Sequence, residues 1–449
     1  MERYDVIIVG GGPGGLTAAL SAKNAYPKKK VLLIRREPTA LIPCGIPYIF
    51  HSLAKIEDDI LPNAPLEKNG IDYWIDTVVD VKGKKALLAS GKEVEYDKLI
   101  LATGSTPAVP PIAGLDKKGV YFIKKDMEYL RGVKAALQEA QRVVIIGGGF
   151  IGVEVADELL KAGKSLILVE RLEHLLPFSL DPEFSEMLEE DLRARGVELH
   201  LGISVQEVLG EGKAESVLLT DGTKIACDAV IVSAGYRPNV ELAQKMGLEV
   251  DPRHGILIDE YMRTSMKDVF AVGDCAAKRH FMTGDYSNVM LASTAMAQGR
   301  LVGSNLFDVK VIKSCMGSLG TFSTKVGDLA FGVTGLTETQ AKALGVDYVV
   351  GRSAAVDRHP GKLPGVSKIE MKLIYARYSH VLLGAQVKGG DSVGELINML
   401  AVMIQNHMTD MEIDTLQIGT HPLLTASPIV YPVITATVNA IMQWYPHEC

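Results

Sequence analysis

The sequence has little of what several classes of protein require. Its 449 residues include 47 Lys and Arg against 54 Asp and Glu, which gives a net charge of −7. The sequence therefore lacks the excess of positive charge that is typical of proteins that bind nucleic acid. No apolar run approaches the roughly 20 residues that a membrane-spanning helix needs. The start, MERYDVIIVG, lacks the basic and apolar segments of a signal peptide. We therefore expect a cytoplasmic protein that binds neither nucleic acid nor membrane.

Cysteine is also scarce. The chain has five, at widely separated positions: Cys44, Cys227, Cys275, Cys315 and Cys449. An odd, scattered set fits neither the disulfide framework of a secreted domain nor the closely spaced ligands of a metal site, so we predict no metal ion. We expect the last four to be buried and to pack as small apolar residues.

Glycine, in contrast, is abundant and concentrated after short apolar strands. A strand is predicted at residues 5–9, the loop GGGPGG follows at 10–15, and an Ala-rich helix is predicted at 16–25. The first glycine of the loop permits a tight turn, the third lets a pyrophosphate approach the backbone, and the last lets helix and strand pack. The helix N-terminus would face the phosphates. This arrangement predicts a dinucleotide-binding unit.

The second strand of this unit, predicted at residues 31–34, departs from the usual pattern. Such a strand ends in an acidic residue that binds a ribose hydroxyl, but Arg35 and Arg36 stand here and Glu37 follows. Three alternatives remain open at this point. Glu37 reaches the ribose, the arginines stack on adenine or contact phosphate, or the arginines form a solvated edge.

The strand–glycine–helix pattern occurs a second time. A strand is predicted at 142–146, a glycine loop at 147–152 and a helix at 153–160. The next strand, predicted at 165–169, does end in an acidic residue, Glu170. Two such modules imply that the molecule holds two dinucleotides.

The pattern changes from about residue 312 onward. Strands are predicted at 368–375 and 381–387, a Leu- and Met-rich helix at 393–407, and no glycine fingerprint recurs. We predict a third, α+β domain whose apolar faces suit a subunit interface.

Four motifs, GGGPGG, ATGS, GGGFIGVE and FAVGD, occur in an order and spacing that resemble the pyridine nucleotide-disulfide oxidoreductases over nearly the whole chain. PCGIPY around Cys44 is similar to the single-cysteine branch of that family, which includes coenzyme A-disulfide reductases, NADH oxidases and peroxidases, and polysulfide reductases. The resemblance implies an α/β fold with two Rossmann-like domains, one for FAD and one for NAD, and a C-terminal α+β dimerisation domain. The expected boundaries are 1–112 with 245–315 for FAD, 113–244 for NAD and 316–449 for dimerisation.

The resemblance also implies two cofactor sites. The residues expected at FAD are Gly10, Gly12, Pro13, Gly14, Gly15, Arg35, Arg36, Pro43, Val79, Ala102, Thr103, Gly104, Gly273, Asp274, Ala292, Ser293 and Thr294. Those expected at NADH or NADPH are Gly147, Gly149, Phe150, Ile151, Gly152, Glu170 and Gly235. Phe150 matches an aromatic gate over the flavin, and Glu154 matches the acid behind it. Glu170 favours NADH because its charge would repel a 2′-phosphate, although the neighbouring Arg171 would soften that preference.

Cys44 is the expected redox residue. No other cysteine occurs before Cys227, so its redox partner would be a substrate sulfur or an oxygen, and Cys44 would pass through a mixed disulfide, a persulfide or a sulfenic acid. A helix beginning at about Gly45, next to an oxidised flavin, would lower the pKa of the thiol.

The electron acceptor is harder to predict. Oxidases and peroxidases of the branch carry a histidine where Pro13 stands, which disfavours specialised peroxide reduction. Coenzyme A-disulfide reductases carry a tyrosine in a loop that corresponds to 358–365 here, where none occurs. His421, in a segment similar to the His-Pro segment that dithiol relatives bring across the dimer, and Tyr431 are the candidate proton donors, and an ordinary structural role for each stays open. Arg358, His359 and Lys362 suit a phosphate of coenzyme A or a solvated loop.

We therefore expect a homodimeric enzyme that uses FAD and NADH, or NADPH, to reduce a small disulfide, persulfide or polysulfide, with oxygen as a further acceptor and coenzyme A as a candidate ligand. Two alternatives stay open. One is an electron-transfer reductase for a small redox protein, in which Cys44 is dispensable. The other is a flavin-bound sensor without turnover.

Overall fold

A computed structural model describes residues 2–312 and 317–444. The predictions for Cys315, for Cys449 and for the boundary between 315 and 316 lie outside the described residues. The chain divides into two compact units. The first comprises the residues up to 147, 158–165 and 205–318, and the second comprises 148–157, 166–204 and the residues after 318.

The helices and strands follow in chain order. Up to residue 107 they are β1 (Glu2–Val9), α1 (Pro13–Ala25), β2 (Val31–Arg35), β3 (Ala40–Leu41), β4 (Ile60–Leu61), α2 (Ala64–Lys68), β5 (Asp72–Ile75), β6 (Val78–Lys82), β7 (Lys85–Leu88), β8 (Glu93–Leu101) and β9 (Ser105–Pro107). From 120 to 238 they are β10 (Val120–Phe122), α3 (Met127–Glu139), β11 (Arg142–Ile146), α4 (Phe150–Lys161), β12 (Ser165–Glu170), α5 (Pro182–Ala194), β13 (Glu198–Leu201), β14 (Val205–Leu209), β15 (Ser216–Leu219), β16 (Lys224–Ala226), β17 (Ala229–Val232) and β18 (Tyr236–Pro238).

From 241 to 304 they are α6 (Glu241–Lys245), β19 (Val250–Asp251), β20 (Gly255–Ile256), β21 (Val269–Ala271), β22 (Lys278–Arg279), β23 (Tyr286–Ser287) and α7 (Ala292–Ser304). After 320 they are β24 (Phe322–Val326), β25 (Leu329–Gly335), α8 (Glu338–Ala343), β26 (Tyr348–Val356), β27 (Lys368–Ala376), β28 (Leu382–Gly389), α9 (Val393–Gln405), α10 (Asp410–Asp414) and α11 (Pro432–Ile441). Within the described residues, four 3₁₀ helices join them, at Ile46–Phe50, Ile56–Asp59, Gly273–Cys275 and Pro428–Val430.

The first unit is built on a sheet in the order β5-β2-β1-β8-β7-β6, to which β21 adds by pairing with β8. The strands β1, β2, β5, β8 and β21 are mutually parallel, and β7 turns back antiparallel to β8. Both faces of β1 are buried, Val6 and Ile8 in one core cluster and Ile7 and Val9 in another. A parallel sheet buried on both faces brings the carboxyl ends of β1 and β8 to one edge, where the first glycine loop lies.

The first unit also contains the parallel strands β10, β17 and β11 and the antiparallel meander β14-β15-β16. β11 has the bounds predicted for the first strand of the second module. The two cysteines that the structure describes beyond Cys44, Cys227 and Cys275, are buried as predicted. Burial raises the pKa of Cys227 to about 11, which keeps that thiol unreactive at neutral pH.

In the second unit, β12 and β13 pair in parallel, and the chain after 320 forms an antiparallel sheet in the order β24-β25-β28-β27-β26. Helix α9 packs closely on β25, because a Cβ on Gly332 would lie 3.0 Å from Val393 and 3.1 Å from Ile397. The predicted fold class is confirmed: two parallel Rossmann-like sheets and a C-terminal antiparallel α+β domain. Within the described residues, no helix has both the length and the apolar character to cross a membrane.

Candidate active site

The first glycine loop lies between the carboxyl end of β1 and the start of α1. Gly10 has a φ of +116°, and a Cβ there would lie 2.1 Å from the carbonyl oxygen of Ala102, so this position requires glycine. Above Gly12, no atom of the described residues lies within 4 Å of where a Cβ would be. Helix α1 begins at Pro13, directly after this open backbone. Open backbone at a helix N-terminus is the arrangement that binds a pyrophosphate.

The two arginines after the second strand have different surroundings. Arg35 is 5% exposed, lies under the loop with its Cδ 2.5 Å from where a Cβ on Gly11 would be, and donates from Nη2 to the carbonyl of Pro38 at 2.6 Å. Its buried Nε has no hydrogen-bond partner among the described residues, and burial lowers its pKa. Arg36 is exposed and pairs with Glu37 at 2.5 Å. Arg35 is therefore better placed than Arg36 or Glu37 to contact a ligand at the loop.

The predicted segment 102–104 follows β8 and is fixed at both ends. The Ala102 N–H donates to the carbonyl of Val9 at 2.8 Å. Thr103 and Asn239 exchange two hydrogen bonds of 2.8 Å, and the Asn239 N–H donates to the carbonyl of Gly104 at 3.0 Å. Asn239, which the sequence did not indicate, thus holds this segment against the edge of the sheet.

Asp274 lies in the 3₁₀ helix Gly273–Cys275. Its Oδ2 accepts hydrogen bonds from Ser105 at 2.7 Å and from Lys125 at 2.8 Å. Burial opposes ionisation of Asp274, but the positive charge of Lys125 outweighs it and lowers the pKa of the carboxyl. Both described bonds use Oδ2, so Oδ1 can accept from a ligand hydroxyl. Ser105 and Lys125 are further residues that the sequence did not indicate.

Helix α7 lies beside the first glycine loop. Cβ atoms added to Gly14 and to Gly273 would each lie 3.4 Å from the Cβ of Ala295. This contact brings the start of α7, with the predicted residues Ala292, Ser293 and Thr294, to the same region as the loop and Asp274. The residues present fit FAD on three observations: the open backbone at Gly12, the unsatisfied Nε of Arg35 and the ionised Asp274.

Val79 lies apart from this group, on β6 at the edge of the sheet, and its carbonyl accepts from Lys245 at 3.4 Å. Its contact with the adenine end of FAD stays a prediction.

The second glycine loop is divided between the two units. In the first unit, Gly147 has a φ of +107° and Gly235 a φ of +95°. In the second unit, the Glu170 carboxylate accepts from the Gly148 N–H at 2.7 Å and from the Leu172 N–H at 2.8 Å. Two backbone donors therefore fix Glu170 at the loop, where a ribose was predicted. Gly149 is exposed, and its backbone is open in the same way as that of Gly12.

Phe150 is the first residue of α4, and Ile151 and Gly152 follow it in the helix. Its ring stacks on Phe322 of β24, with centroids 4.7 Å apart and planes at 9°. One turn later in the helix, Glu154 accepts from the Thr324 hydroxyl at 2.8 Å. Phe322 and Thr324 were missed because they lie about 170 residues further along the chain.

Cys44 is exposed in a turn between β3 and the 3₁₀ helix Ile46–Phe50. The Gly45 N–H donates to the carbonyl of Ile42 at 2.8 Å, which closes the turn around Pro43 and Cys44. A helix does follow Cys44 as expected, but it is a five-residue 3₁₀ helix with poorer hydrogen-bond geometry than an α-helix. Its dipole therefore stabilises a thiolate less than the sequence predicted.

The two predicted proton donors differ in exposure. His421 is exposed, and its Nδ1 accepts from the Leu423 N–H at 3.2 Å, which leaves the proton of the neutral ring on Nε2. Tyr431 is buried, and burial raises its pKa. His359 links the loop at 358–365 to the segment that contains His421. Its N–H donates to the carbonyl of Pro422 at 3.1 Å, and its Nδ1 donates to that of Thr425 at 3.0 Å.

One group of three carboxylates among the described residues has metal-ligand spacing, and it consists of Asp181, Glu183 and Glu338. The Nζ of Lys372 lies 2.8, 2.7 and 2.5 Å from these three groups. Lys372 and Arg352, whose Nη2 lies 2.9 Å from Glu183 and 3.6 Å from Glu338, supply positive charge opposite these carboxylates, so this is an ion-pair cluster.

Comparison with known proteins gives the chain a family. A sequence model of the family described as "Pyridine nucleotide-disulphide oxidoreductase" matches residues 4–299, and a model of the dimerisation domain of the same family matches residues 321–428. The chain belongs to the pyridine nucleotide-disulphide oxidoreductase family. The predicted resemblance is therefore confirmed. The protein is an FAD-dependent NAD(P)H oxidoreductase that carries the dimerisation domain of its family.

Three similar proteins represent the relatives. An NADH oxidase of Methanocaldococcus jannaschii is 33% identical over 97% of this chain and 98% of its own. An NAD(P)H coenzyme A polysulfide/persulfide reductase of Pyrococcus horikoshii is 33% identical over 91% of this chain and 92% of its own. The structure of an NAD-dependent persulfide reductase from A. fulgidus superposes with a TM-score of 0.90 at 28% identity, covering 98% of this chain and 83% of that one.

Proposed function

We propose that the enzyme uses NADH to reduce a polysulfide, a persulfide or a coenzyme A-type disulfide through Cys44, with oxygen reduction as a side activity. The observation that carries the proposal is the exposed Cys44 in its closed turn. The relatives support it, because their names include both NADH oxidases and a coenzyme A polysulfide/persulfide reductase. The domain boundaries, the cytoplasmic location and the homodimer expected from the sequence belong to the same proposal.

The chain holds the two nucleotides with residues of different charge. The loop at Gly12, the buried Arg35 and the ionised Asp274 would bind FAD at its phosphates, its adenosine end and its ribityl chain. Glu170 would accept from the ribose hydroxyls of NADH. When bound, FAD supplies a carrier that takes a hydride from NADH and returns an electron pair to sulfur.

Cys44 performs the exchange at the substrate. Its thiolate attacks one sulfur of a disulfide RSSR′, forms the mixed disulfide with RS and releases R′S⁻, which takes up a proton. The electron pair that originates in NADH then breaks the mixed disulfide, releases RS⁻ and restores the Cys44 thiolate. The balance is one NADH and one proton consumed, and two thiols formed, for each disulfide.

The leaving thiolate needs a proton donor, and His421 is better suited than Tyr431. His421 is exposed, so its ring can take up a proton from solvent and donate it as the imidazolium, whereas Tyr431 is buried with a raised pKa and releases its proton less readily. The family resemblance implies that His421 acts on the other subunit of a homodimer.

Substitution of Cys44 by Ser tests the function. We expect bleaching of the flavin absorbance by NADH to persist, and turnover of polysulfide or coenzyme A disulfide to fall by at least about a thousandfold, because the nucleophile is lost. Cys227→Ser, at a buried cysteine, is the matched control and should retain turnover. Turnover that survives in Cys44→Ser would reject the sulfur mechanism. Salt-sensitive reduction of a small redox protein by that variant would favour the electron-transfer reductase.

A further inference from the structure

A buried carboxylic acid lies directly beneath the turn that carries Cys44. Asp59 ends the 3₁₀ helix Ile56–Asp59, and its carbonyl accepts from the N–H of Ile42, the first residue of the turn, at 2.9 Å. Its side chain presses on the last residue of the turn, because a Cβ on Gly45 would lie 1.8 Å from Oδ1. Glycine at position 45 thus makes room for the Asp59 carboxyl group.

The Asp59 carboxyl group has few contacts among the described residues that would stabilise its negative charge. Asp59 is 2% exposed, and its Oδ2 has no hydrogen-bond partner among the described residues. The charged groups on the same helix are engaged elsewhere: Glu57 pairs with Arg131 at 2.7 Å, and Asp58 accepts from the Lys55 N–H at 3.3 Å. Burial alone raises the pKa of Asp59 to about 6. Asp59 therefore changes its charge within the range of pH in which an enzyme works.

The distance to Cys44 is short. Oδ1 lies 1.8 Å from the Cβ position of Gly45. The remaining path, from that Cβ through the adjacent Cα atoms to the Cys44 sulfur, adds at most about 9 Å. The sulfur and the carboxylate are therefore within roughly 11 Å of each other. Two like charges at this distance in a protein influence each other's ionisation severalfold or more.

We propose that Asp59 is a positioning residue that controls the ionisation of Cys44, the neutral acid permitting the thiolate and the carboxylate opposing it. The inference rests on the proposed role of Cys44 as the redox nucleophile. The titratable groups on the elements packed here are Cys44 and Tyr48 on the turn and its helix, and Lys55, Glu57 and Asp58 on the helix of Asp59. Of these, only Cys44 is adjacent to the glycine that Asp59 touches.

The rate at which iodoacetamide alkylates Cys44 measures its thiolate fraction. The flavin-containing wild-type protein is reduced, desalted and alkylated between pH 5 and pH 9, and the peptide containing Cys44 is quantified by mass spectrometry. At pH values below its pKa, a thiol without such a neighbour is alkylated tenfold faster with each unit by which the pH rises. As Asp59 ionises near pH 6, the Cys44 pKa rises, so we expect a slope clearly below tenfold per unit around pH 6.

The variant Asp59→Asn removes the charge and should restore the full slope, with alkylation at pH 7 about fivefold faster than in the wild type. The matched control Asp58→Asn, at the exposed neighbouring position, should follow the wild-type profile. A wild-type profile without the break near pH 6, or superimposable profiles for wild type and Asp59→Asn, would overturn the proposal. The wild-type profile decides alone if Asp59→Asn does not fold. Turnover in Cys44→Ser decides the proposed function separately.

Discussion

Glu170 is the residue whose environment bears most directly on the choice of nicotinamide nucleotide. Backbone N–H groups of Gly148 and Leu172 hold its carboxylate at 2.7 and 2.8 Å. A carboxylate fixed there would repel the 2′-phosphate of NADPH if the nucleotide binds at this loop as predicted. We expect Glu170→Gln, which removes the charge and keeps the shape, to raise the ratio of kcat/KM for NADPH to that for NADH about tenfold. Steady-state kinetics with both nucleotides and one fixed acceptor measure this ratio.

Glu173 offers a matched control for this substitution, because it is exposed three residues further along the chain. Glu173→Gln removes the same charge and should leave the ratio of the two nucleotides unchanged. A ratio in Glu170→Gln equal to that of the wild type would show that the carboxylate does not discriminate.

The sequence indicated those candidate site residues whose position depends on local pattern. Gly10 and Glu170 sit at fixed offsets from a strand end, so spacing alone predicts them. Lys125, Asn239 and Phe322 could not be predicted, because each is an ordinary residue type that meets its partner only after the chain has folded. Lys125 reaches Asp274 across 149 positions, a separation on which local pattern carries no information.

At the scale of elements, the predicted order was right and the ends differed for identifiable reasons. Helix α1 begins at Pro13, three residues before the predicted 16, because proline is well accommodated in the first turn, where its missing N–H costs nothing. The helix after Cys44 proved to be a short 3₁₀ helix, since residues 46–50 follow a closed turn and contain Pro47 in their first turn. Such ends depend on contacts with other elements, and Asp59 beneath the turn is one that the sequence did not reveal.

Strand β27 carries a buried lysine that joins three elements of the second unit. Lys372 is 1% exposed and contacts Asp181 before α5, Glu183 in α5 and Glu338 in α8. We expect Lys372→Met to lower the free energy of unfolding by about 3–5 kcal/mol, because it leaves the buried Asp181 carboxylate without its ammonium partner. The shift in the midpoint of a urea denaturation curve measures the loss. Lys368→Met, at an exposed position of the same strand, is the control and should unfold like the wild type.

The same cluster predicts how acid affects the second unit. Burial opposes the ionisation of Asp181, but hydrogen bonds from Lys372 and Thr339 outweigh it and lower its pKa from 3.8 to about 2. A lowered pKa means that the stabilising contribution is fully present above the unfolded value and disappears as the pH falls through the folded value. Stability that does not decline between pH 4 and pH 2, or a Lys372→Met variant as stable as Lys368→Met, would contradict this account of the cluster.

At the scale of the whole molecule, the order of four motifs was enough to predict the fold class, because each strand–glycine–helix module is a self-contained pattern. The subunit interface stays a prediction, and the sequence indicated it only as apolar faces in the C-terminal part. The exposed apolar side chains that the structure describes there include Val402, Met411, Leu424, Ile429, Val438 and Met442. Val402, Met411 and Leu424 lie within residues 321–428, which match the dimerisation domain of the family, and the other three follow that range.

Ile429 is the most exposed of these side chains, at 90%, in the 3₁₀ helix Pro428–Val430. In a symmetric dimer each substitution acts twice, so Ile429→Glu would remove two buried side chains and bury two charges. We expect the dissociation constant of the homodimer, measured by sedimentation equilibrium, to rise at least about a hundredfold. Val309→Glu introduces the same charge at an exposed apolar position of the first unit and should leave the dimer intact. If both variants dissociate equally, or neither does, the subunits associate through another surface.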